Sequence, residues 1–199
     1  MARVVICAML MGMALPAAAG TVETPREGFV YFRGQIVPGD ALRLARALRT
    51  KPYNGAVTLL LDSIGGDYDA GLAMADVVIR RKRQVAVIAV VPWGWECSSS
   101  CVSVFAAATR REIGSAGTDK QGAFWHEGAI WVHSTASVIN GQKVIDRESI
   151  ATTWAWTRML KHLGVPSVVT DQIIATTSRQ GVKLDGDSLR VWGVSFRKP

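Results

Sequence analysis

Length, composition and charge are those of a single-domain globular protein. The chain has 199 residues, 49% of them hydrophobic, and a formal net charge of +7. It is therefore long enough to bury a substantial core and short enough to form one domain. The basic residues are spread along the sequence without a nucleic-acid-binding motif, which favours solvated helix faces and ends over nucleic-acid binding.

Residues 1–19 have the pattern of a secretory signal peptide. Arg3 supplies a positive charge, residues 4–15 form an apolar run, and residues 16–19 (Pro-Ala-Ala-Ala) resemble a cleavage site. The run is too short to span a bilayer, and no later stretch reaches the roughly 18 apolar residues that a transmembrane helix needs. We therefore expect an exported protein, periplasmic or secreted, that comprises residues 20–199. Without Arg3 its net charge is +7 less one, or +6.

Apolar strands and amphipathic helices alternate after the leader. The pattern predicts strands over residues 29–36, 57–62, 85–91 and 129–134, and a terminal turn and strand over 188–196. It predicts a first helix with Asp40 as its N-cap and a second that carries Leu72 to Ile79. Three further helices are predicted over residues 102–108, 144–162 and 167–176. This alternation indicates an α/β domain with parallel strands.

A serine cluster falls between the strand at 85–91 and the helix at 102–108. Ser98, Ser99 and Ser100 therefore lie at a strand-to-helix turn. A hydroxyl group there is close to the free N–H groups of the first helical turn, which can stabilise a developing oxyanion. The alternative is that these serines only cap a core helix.

Two cysteines enclose this turn. Cys7 leaves with the signal peptide, so Cys97 and Cys101 are the cysteines of the mature chain. A cysteine pair in an exported protein predicts a disulfide, and an i,i+4 spacing in a helical turn allows a Cα separation of roughly 6 Å. Two cysteines without a second ligand pair fall short of a zinc signature. We expect no metal and no cofactor.

A second loop carries a glycine pair. Residues 62–67 (Asp-Ser-Ile-Gly-Gly-Asp) follow a strand and precede a helix. Gly65 and Gly66 permit positive φ and a close approach of the backbone to a ligand. A plain connection between strand and helix is the other interpretation. The sequence has no dinucleotide-binding fingerprint.

The histidines differ in their surroundings. His133 ends the strand predicted at 129–134, where a lone histidine is more often structural than catalytic. His126 lies in a glycine-rich loop, residues 114–128, which we expect to be exposed and mobile, and His162 lies on the long helix. Neither has an evident partner, so we interpret both as surface or packing residues.

Four of these pieces together resemble the ClpP-like serine peptidases of the ClpP/crotonase superfamily. Residues 30–36 resemble the first strand and its Gly-x-Ile/Val turn, and residues 130–134 resemble the strand of the catalytic histidine. Residues 62–66, with Ala70 and Gly71, are similar to the Asn/Asp-Ser-Pro-Gly-Gly motif, with Ile64 in place of proline. Residues 97–101 look like the Cys-Ala-Ser-Ala-Cys turn of exported members. The resemblance covers about residues 29–196 and implies a single-domain spiral of strand-strand-helix units.

The resemblance also implies roles for individual residues. Ser99 corresponds to the nucleophile and His133 to its general base, with the N–H groups of Gly66 and Ser100 as the oxyanion hole. A serine hydroxyl needs a base within hydrogen-bond reach. The family further implies peptide or protein substrates and a homo-oligomer. Its interface would be the helix over 144–162, through Trp154 and Trp156.

The acid that orients the histidine in this family has no counterpart at its usual position. That window, residues 177–181, reads Thr-Ser-Arg-Gln-Gly and contains no carboxylate. Asp171, Asp185 and Asp187 are the nearest substitutes. A Ser-His pair without an acid keeps part of its activity, because the acid mainly fixes the imidazole tautomer and stabilises its charge.

The sequence is compatible with three functions. The first is an exported serine peptidase that forms an acyl-enzyme on Ser99. The second is a ClpP-like binding or assembly module with weakened or lost catalysis, which the missing acid favours. The third is a crotonase-type acyl-CoA enzyme, against which both the predicted export and the Ser/His pair argue.

Overall fold

The computed structural model describes residues 19–114, 128–140, 142–176 and 181–197. The predicted leader up to residue 18, most of the glycine-rich loop with His126, and residues 177–180 of the acid window lie outside the described residues.

Eleven strands and six helices make up the described part of the chain. The strands are β1 (Thr21–Arg26), β2 (Phe29–Arg33), β3 (Ala56–Asp62), β4 (Ala86–Val91), β5 (Glu96–Ser98), β6 (Arg110–Gly114), β7 (Ala129–Val132), β8 (Ser137–Ile139), β9 (Gln142–Val144), β10 (Val182–Lys183) and β11 (Ser195–Arg197). The helices are α1 (Asp40–Ala47), α2 (Tyr68–Lys82), α3 (Cys101–Ala107), α4 (Arg147–His162), α5 (Ser167–Ala175) and α6 (Gly186–Val191).

The main sheet has the strand order β1-β2-β3-β4-β6-β11. The strands from β2 to β11 in that order are parallel, and β1 pairs with β2 in the antiparallel direction. The predicted α/β pattern with parallel pairing is therefore confirmed. Because parallel strands point the same way, the loops that follow β3 and β4 lie at one edge of the sheet, and the ends of α1 and α2 lie at the other.

A second, three-stranded sheet has the order β10-β7-β5, and β8 and β9 form a separate hairpin. β5 and β7 are parallel, with Ser98 opposite Trp131. An isolated bridge between Ser63 and Cys97 connects the end of β3 to β5. Through this bridge the small sheet continues from the carboxyl edge of the main sheet.

The core lies between the main sheet and the helices. β4 is buried along almost its whole length, as its unbroken β-branched run predicts. All seven residues of α3 are buried as well, in keeping with its Ala-rich sequence. Within the described residues, no helix combines the length and the apolar composition needed to cross a bilayer.

Several element boundaries differ from the prediction. The long helix begins at Arg147, not at residue 144, because Asp146 and Ser149 form a capping box, and Val144 lies on β9. Residues 186–191 form helix α6 where a turn was predicted. Asp40 is the first helical residue and not the N-cap, and its buried carboxylate accepts a hydrogen bond from Val37 N at 2.8 Å.

Candidate active site

A cavity of about 570 Å³ lies at the carboxyl edge of the main sheet. The loop after β3, the serine turn, the residues after β7, the β8–β9 hairpin and α4 all contribute to its wall. Ser99, Ser100, Gly66 and His133 all line it. The four residues singled out from the sequence as a catalytic constellation thus share one cavity.

The pairing of β5 with β7 brings Ser99 and His133 to the same wall. Ser99 follows β5 and its N–H donates to the carbonyl oxygen of Trp131 on β7 at 3.1 Å. His133 is the first residue after β7. Parallel strands that end side by side place the residues after them next to one another, so the two side chains enter the cavity from neighbouring strand ends.

Ser99 has an unusual backbone conformation. Its φ is +55°, in the left-handed region that non-glycine residues seldom adopt. Such conformations persist where surrounding contacts over-determine the chain, and they cluster at active sites. The chain therefore turns sharply at this residue, between a strand and a helix.

The predicted disulfide between Cys97 and Cys101 is present and encloses this turn. The two Cα atoms lie 5.3 Å apart, and both cysteines are fully buried. Cys97 belongs to β5 and Cys101 is the first residue of α3. The bond therefore ties the strand before the turn to the helix after it.

The three serines of the turn have different surroundings. Ser98 belongs to β5 and does not line the cavity. Ser100 occupies the N-cap position of α3 but makes no side-chain cap hydrogen bond, so the capping interpretation fails for its hydroxyl. Its buried Oγ has no hydrogen-bond partner in the described part of the chain. Ser99 is thus the serine of the three that combines partial exposure with a place on the cavity wall.

The glycine pair packs directly against the serine turn. Gly65 and Gly66 have φ values of +82° and +149°. A Cβ atom on Gly65 would lie 2.5 Å from Ser98 O and 2.6 Å from Ser99 Cβ, and one on Gly66 would overlap the carbonyl oxygen of Ile36. Both positions therefore require glycine for conformation and for space. The loop does more than connect β3 to α2, because it lines the cavity next to Ser99.

Two backbone N–H groups in this wall have no hydrogen-bond acceptor among the residues that the structure describes. Among the described residues, neither Gly66 N nor Ser100 N donates a hydrogen bond. The neighbouring groups are engaged, since Gly65 N donates to Ser63 Oγ at 3.1 Å and Asp67 N donates to Ile36 O at 2.9 Å. Unpaired backbone donors are rare in folded proteins. Two that line the same cavity as Ser99 are suited to bind an anionic oxygen.

His133 is held through its Nδ1 atom. This atom lies 2.7 Å from the carbonyl oxygen of Ser134, whose own N–H donates to Thr176 O at 2.9 Å. A carbonyl can only accept, so Nδ1 carries the proton and Nε2 is left as the acceptor. Burial lowers the pKa of His133 below its ordinary value, the Ser134 hydrogen bond opposes this, and the charge of Lys143 lowers the pKa further.

Within the described residues, none of the three substitute acids forms a hydrogen bond with His133. Asp185 caps α6 and accepts from Ser188 N at 2.7 Å, Asp187 pairs with Arg190 at 2.6 Å, and Asp171 lies exposed on α5. Within the described residues, His133 and Ser99 Oγ also share no hydrogen bond. Catalytic hydrogen bonds are often long in the absence of substrate and tighten only in the complex.

The sequence analysis did not predict several residues of the cavity, among them Lys143 and Trp156. Lys143, on β9, lines it together with Ser99 and His133. Trp156, predicted as an interface residue, is 1% exposed and reaches the cavity wall from α4. Of the two tryptophans predicted at the interface, Trp154 is the exposed one. The helical spacing on α4 separates the two, since residues two apart face different sides of a helix.

The described residues offer no metal site, because their His, Cys, Asp and Glu side chains do not gather in groups of three or more. The sequence matches no protein-family model and no curated protein.

Several solved structures share the backbone fold of this chain. ClpP1 from Listeria monocytogenes matches with a TM-score of 0.58 at 17% identity, over 86% of this chain and 92% of that one. The 1510-N membrane-bound stomatin-specific protease, as a serine-to-alanine mutant, matches with a TM-score of 0.60 at 15% identity, over 85% and 77%. A lysine-to-alanine mutant of 1510-N in complex with a substrate peptide also matches with a TM-score of 0.60, at 15% identity, over 85% and 73%.

The fold is ClpP-like. The resemblance drawn from four short motifs is thereby confirmed at the level of architecture. At identities of 15–17% the likeness concerns the fold alone. The solved neighbours are ClpP-like serine proteases, so this chain has the fold of a serine peptidase.

Proposed function

We propose that this protein is an exported serine peptidase that cleaves peptide bonds through an acyl-enzyme on Ser99. The observation that carries the proposal is the pair of unpaired N–H groups, on Gly66 and Ser100, in the cavity that Ser99 and His133 share. A structural turn would have no use for two unsatisfied donors beside a hydroxyl. A tetrahedral intermediate needs such donors for its oxyanion.

In the proposed reaction, His133 Nε2 takes the proton of Ser99 as Oγ attacks the scissile carbonyl carbon. The negative charge that develops on the carbonyl oxygen is stabilised by the N–H groups of Gly66 and Ser100. Each such donor typically contributes about 3–4 kcal/mol to the transition state. His133 then gives its proton to the leaving amine, and water releases the acyl group by the same steps.

The carbonyl oxygen of Ser134 takes part of the role that an acid has in the family. It fixes the tautomer of His133 by accepting from Nδ1. A neutral carbonyl stabilises the imidazolium less than a carboxylate does, and that charge stabilisation is the second function of the acid. We therefore expect turnover well below that of a complete Ser-His-Asp triad.

A fluorophosphonate probe tests the nucleophile, because it labels only an activated serine. We expect labelling of the protein and of Ser98→Ala, and none of Ser99→Ala. Ser98 is the matched control, since it lies one residue away on the same turn and outside the cavity. Equal labelling of Ser99→Ala and the unmodified protein would refute the assignment.

The competing proton acceptor is Lys143, which lines the same cavity. A solved neighbour is a lysine-to-alanine mutant of the 1510-N protease in complex with a substrate peptide, so we also test the lysine of this cavity. Burial lowers the pKa of His133, which favours the neutral imidazole that can accept a proton. We expect His133→Gln to lose labelling and Lys143→Met to retain it. The reverse result would make Lys143 the base.

A second function, binding without catalysis, is favoured by one observation. In the described part of the chain, no carboxylate touches His133 and no hydrogen bond joins it to Ser99. A protein that stays unlabelled at every pH between 6 and 9, reacts with no peptide library and still binds peptides would have this function. The cavity would then serve as a peptide-binding groove.

Export and self-association complete the proposal. We expect the secreted form to begin at Gly20, which N-terminal sequencing of protein from a periplasmic or culture fraction would establish. We also expect a homo-oligomer that buries Ile150 and Trp154, which are 50% and 49% exposed on α4. Light scattering should show the oligomer for the unmodified protein and a smaller species for Trp154→Glu. A monomer in both cases would remove this part of the proposal.

A further inference from the structure

Three basic segments that are distant in the sequence converge at the amino-terminal edge of the main sheet. One follows α1, one ends α2 and one begins β6. We call their cationic residues on the helix-covered side of the sheet the basic face: Arg46, Arg49, Lys51, Arg80, Arg81, Lys82, Arg83 and Arg111.

Contacts between the segments establish that they lie together. Arg81 Nη2 donates to the carbonyl oxygen of Thr50 at 3.2 Å, which joins the end of α2 to the end of α1. Burial lowers the pKa of Lys82, and the nearby charge of Arg111 lowers it further. Arg111 on β6 therefore lies close to Lys82 at the end of α2. In the sheet, Arg111 pairs with Ala89, on the side that α2 covers. The fold therefore assembles one surface from three separate runs.

The positive charge of this face is mostly uncompensated. Residues 46–51, 80–83 and 109–111 contain no Asp or Glu. Arg80 pairs with Asp76, and Arg111 donates to the carbonyl oxygens of Ala106 and Ala108 at the end of α3. Helix capping thus accounts for some of these cations. It does not account for Arg49, Lys51 and Arg83, which are exposed beyond the helix ends.

We propose that the basic face binds the anionic headgroups of phospholipids at a membrane surface. Guanidinium groups match phosphate geometry, and clustered Lys and Arg residues bind anionic bilayers. Tyr53, 57% exposed two residues after Lys51, adds an amphipathic ring of the kind enriched at membrane interfaces. The candidate active site lies at the opposite edge of the sheet, so a protein bound in this way keeps its cavity open to solution.

A membrane surface fits better than a nucleic acid as the partner. The leader sequence predicts export, which removes the protein from nucleic acid and brings it to the outer side of a membrane. Tyr53 gives this surface one exposed aromatic ring, whereas single-stranded nucleic acid requires a series of stacking aromatic residues. Duplex DNA is retained as a competitor in the test.

The test is sedimentation of residues 20–199 with lipid vesicles, since the leader itself would bind lipid. The first variant combines Arg49→Gln, Lys51→Gln and Arg83→Gln. The matched control combines Arg147→Gln, Arg158→Gln and Lys161→Gln, which removes the same charge from exposed positions of α4. Vesicles of phosphatidylcholine with phosphatidylglycerol are compared with phosphatidylcholine alone. The fluorophosphonate probe checks that all three proteins retain the same site.

We expect binding to the phosphatidylglycerol vesicles alone, and its loss at about 1 M salt, where the Debye length is about 3 Å. Each cation near an anionic surface strengthens binding about fivefold, so the first variant should bind about a hundredfold more weakly and the control should bind as the unmodified protein does. Equal loss in both variants would mean that net charge alone drives binding and would overturn the proposal. Binding to duplex DNA that is tighter than to vesicles would overturn the choice of lipid.

Discussion

The indole Nε1 of Trp156 donates a hydrogen bond to Ser103 Oγ at 2.8 Å. Both groups are buried, and the bond joins α4 to α3 one helical turn after Ser99. It thereby connects the wall of the cavity to the helix on which the serine turn rests.

Replacing Trp156 by Phe should lower the free energy of unfolding by about 1–3 kcal/mol, because the buried Ser103 hydroxyl loses its partner. Trp154→Phe is the control, since Trp154 is half exposed on the same helix, and it should change stability by less than about 0.5 kcal/mol. Urea unfolding measures both. Equal stability of the two variants would show that the hydrogen bond adds nothing.

Gly71 sets the distance between α2 and the serine turn. A Cβ atom at this position would lie 2.6 Å from Ser100 Cβ. Gly71→Ala should therefore cost about 1–3 kcal/mol by overpacking, although alanine is the better helix former. It should also slow probe labelling, because Ser100 N–H would move away from the oxyanion.

Gly186→Ala is the matched control for this substitution. Gly186 also lies in a helix. The atom nearest to a Cβ atom added at this position would be Arg190 Nη1, at 3.7 Å, which is an ordinary van der Waals contact. Thermal unfolding and labelling rates should be near those of the unmodified protein. Should Gly71→Ala prove as stable as Gly186→Ala, the close approach of α2 to Ser100 would be wrong.

Removing the disulfide should destabilise the protein. The bond closes a loop of five residues, from Cys97 to Cys101, for which the chain-entropy relation gives about 2 kcal/mol. The double variant Cys97→Ala, Cys101→Ala should therefore melt about 4–8 °C lower in calorimetry, given the size of the chain. A reductant should lower the melting temperature of the unmodified protein and leave the double variant unchanged. An effect of reductant on both would indicate another cause.

The rate of labelling of Ser99 should depend on the protonation of His133. Because burial and Lys143 lower the pKa of His133 from its ordinary value of 6.5, the neutral base persists below that pH. Labelling should fall on acidification with a midpoint under 6.5. Lys143→Gln removes one cause of the lowered pKa, so its midpoint should move to higher pH.

Lys161→Gln, at the exposed end of α4, provides the control and should leave the midpoint in place. The rate constant for labelling, measured across the pH range, distinguishes the outcomes. A midpoint that stays fixed in Lys143→Gln would mean that Lys143 does not act on the imidazole. Loss of all labelling in that variant would assign proton transfer to Lys143.

The sequence by itself determined the α/β alternation, because burial on a parallel sheet imposes apolar runs that can be read locally. The buried run of β4 and the Ala-rich α3 follow their local pattern directly. The disulfide could also be predicted, since its two cysteines are only four residues apart. The glycine pair and the serine turn were found because each has a local motif.

Only the tertiary structure decided which groups meet. That Gly66 N and Ser100 N lack acceptors is a property of contacts between β3, β5 and β7 that no short segment encodes. The same holds for Ser134 O beside His133, for Lys143 in the cavity, and for the burial of Trp156 where Trp154 is exposed. Local periodicity fixes which face of an element is apolar, whereas packing between elements distant in sequence fixes what that face touches. The basic face has the same origin, since its charges are scattered in the sequence and adjacent only after the parallel sheet has formed.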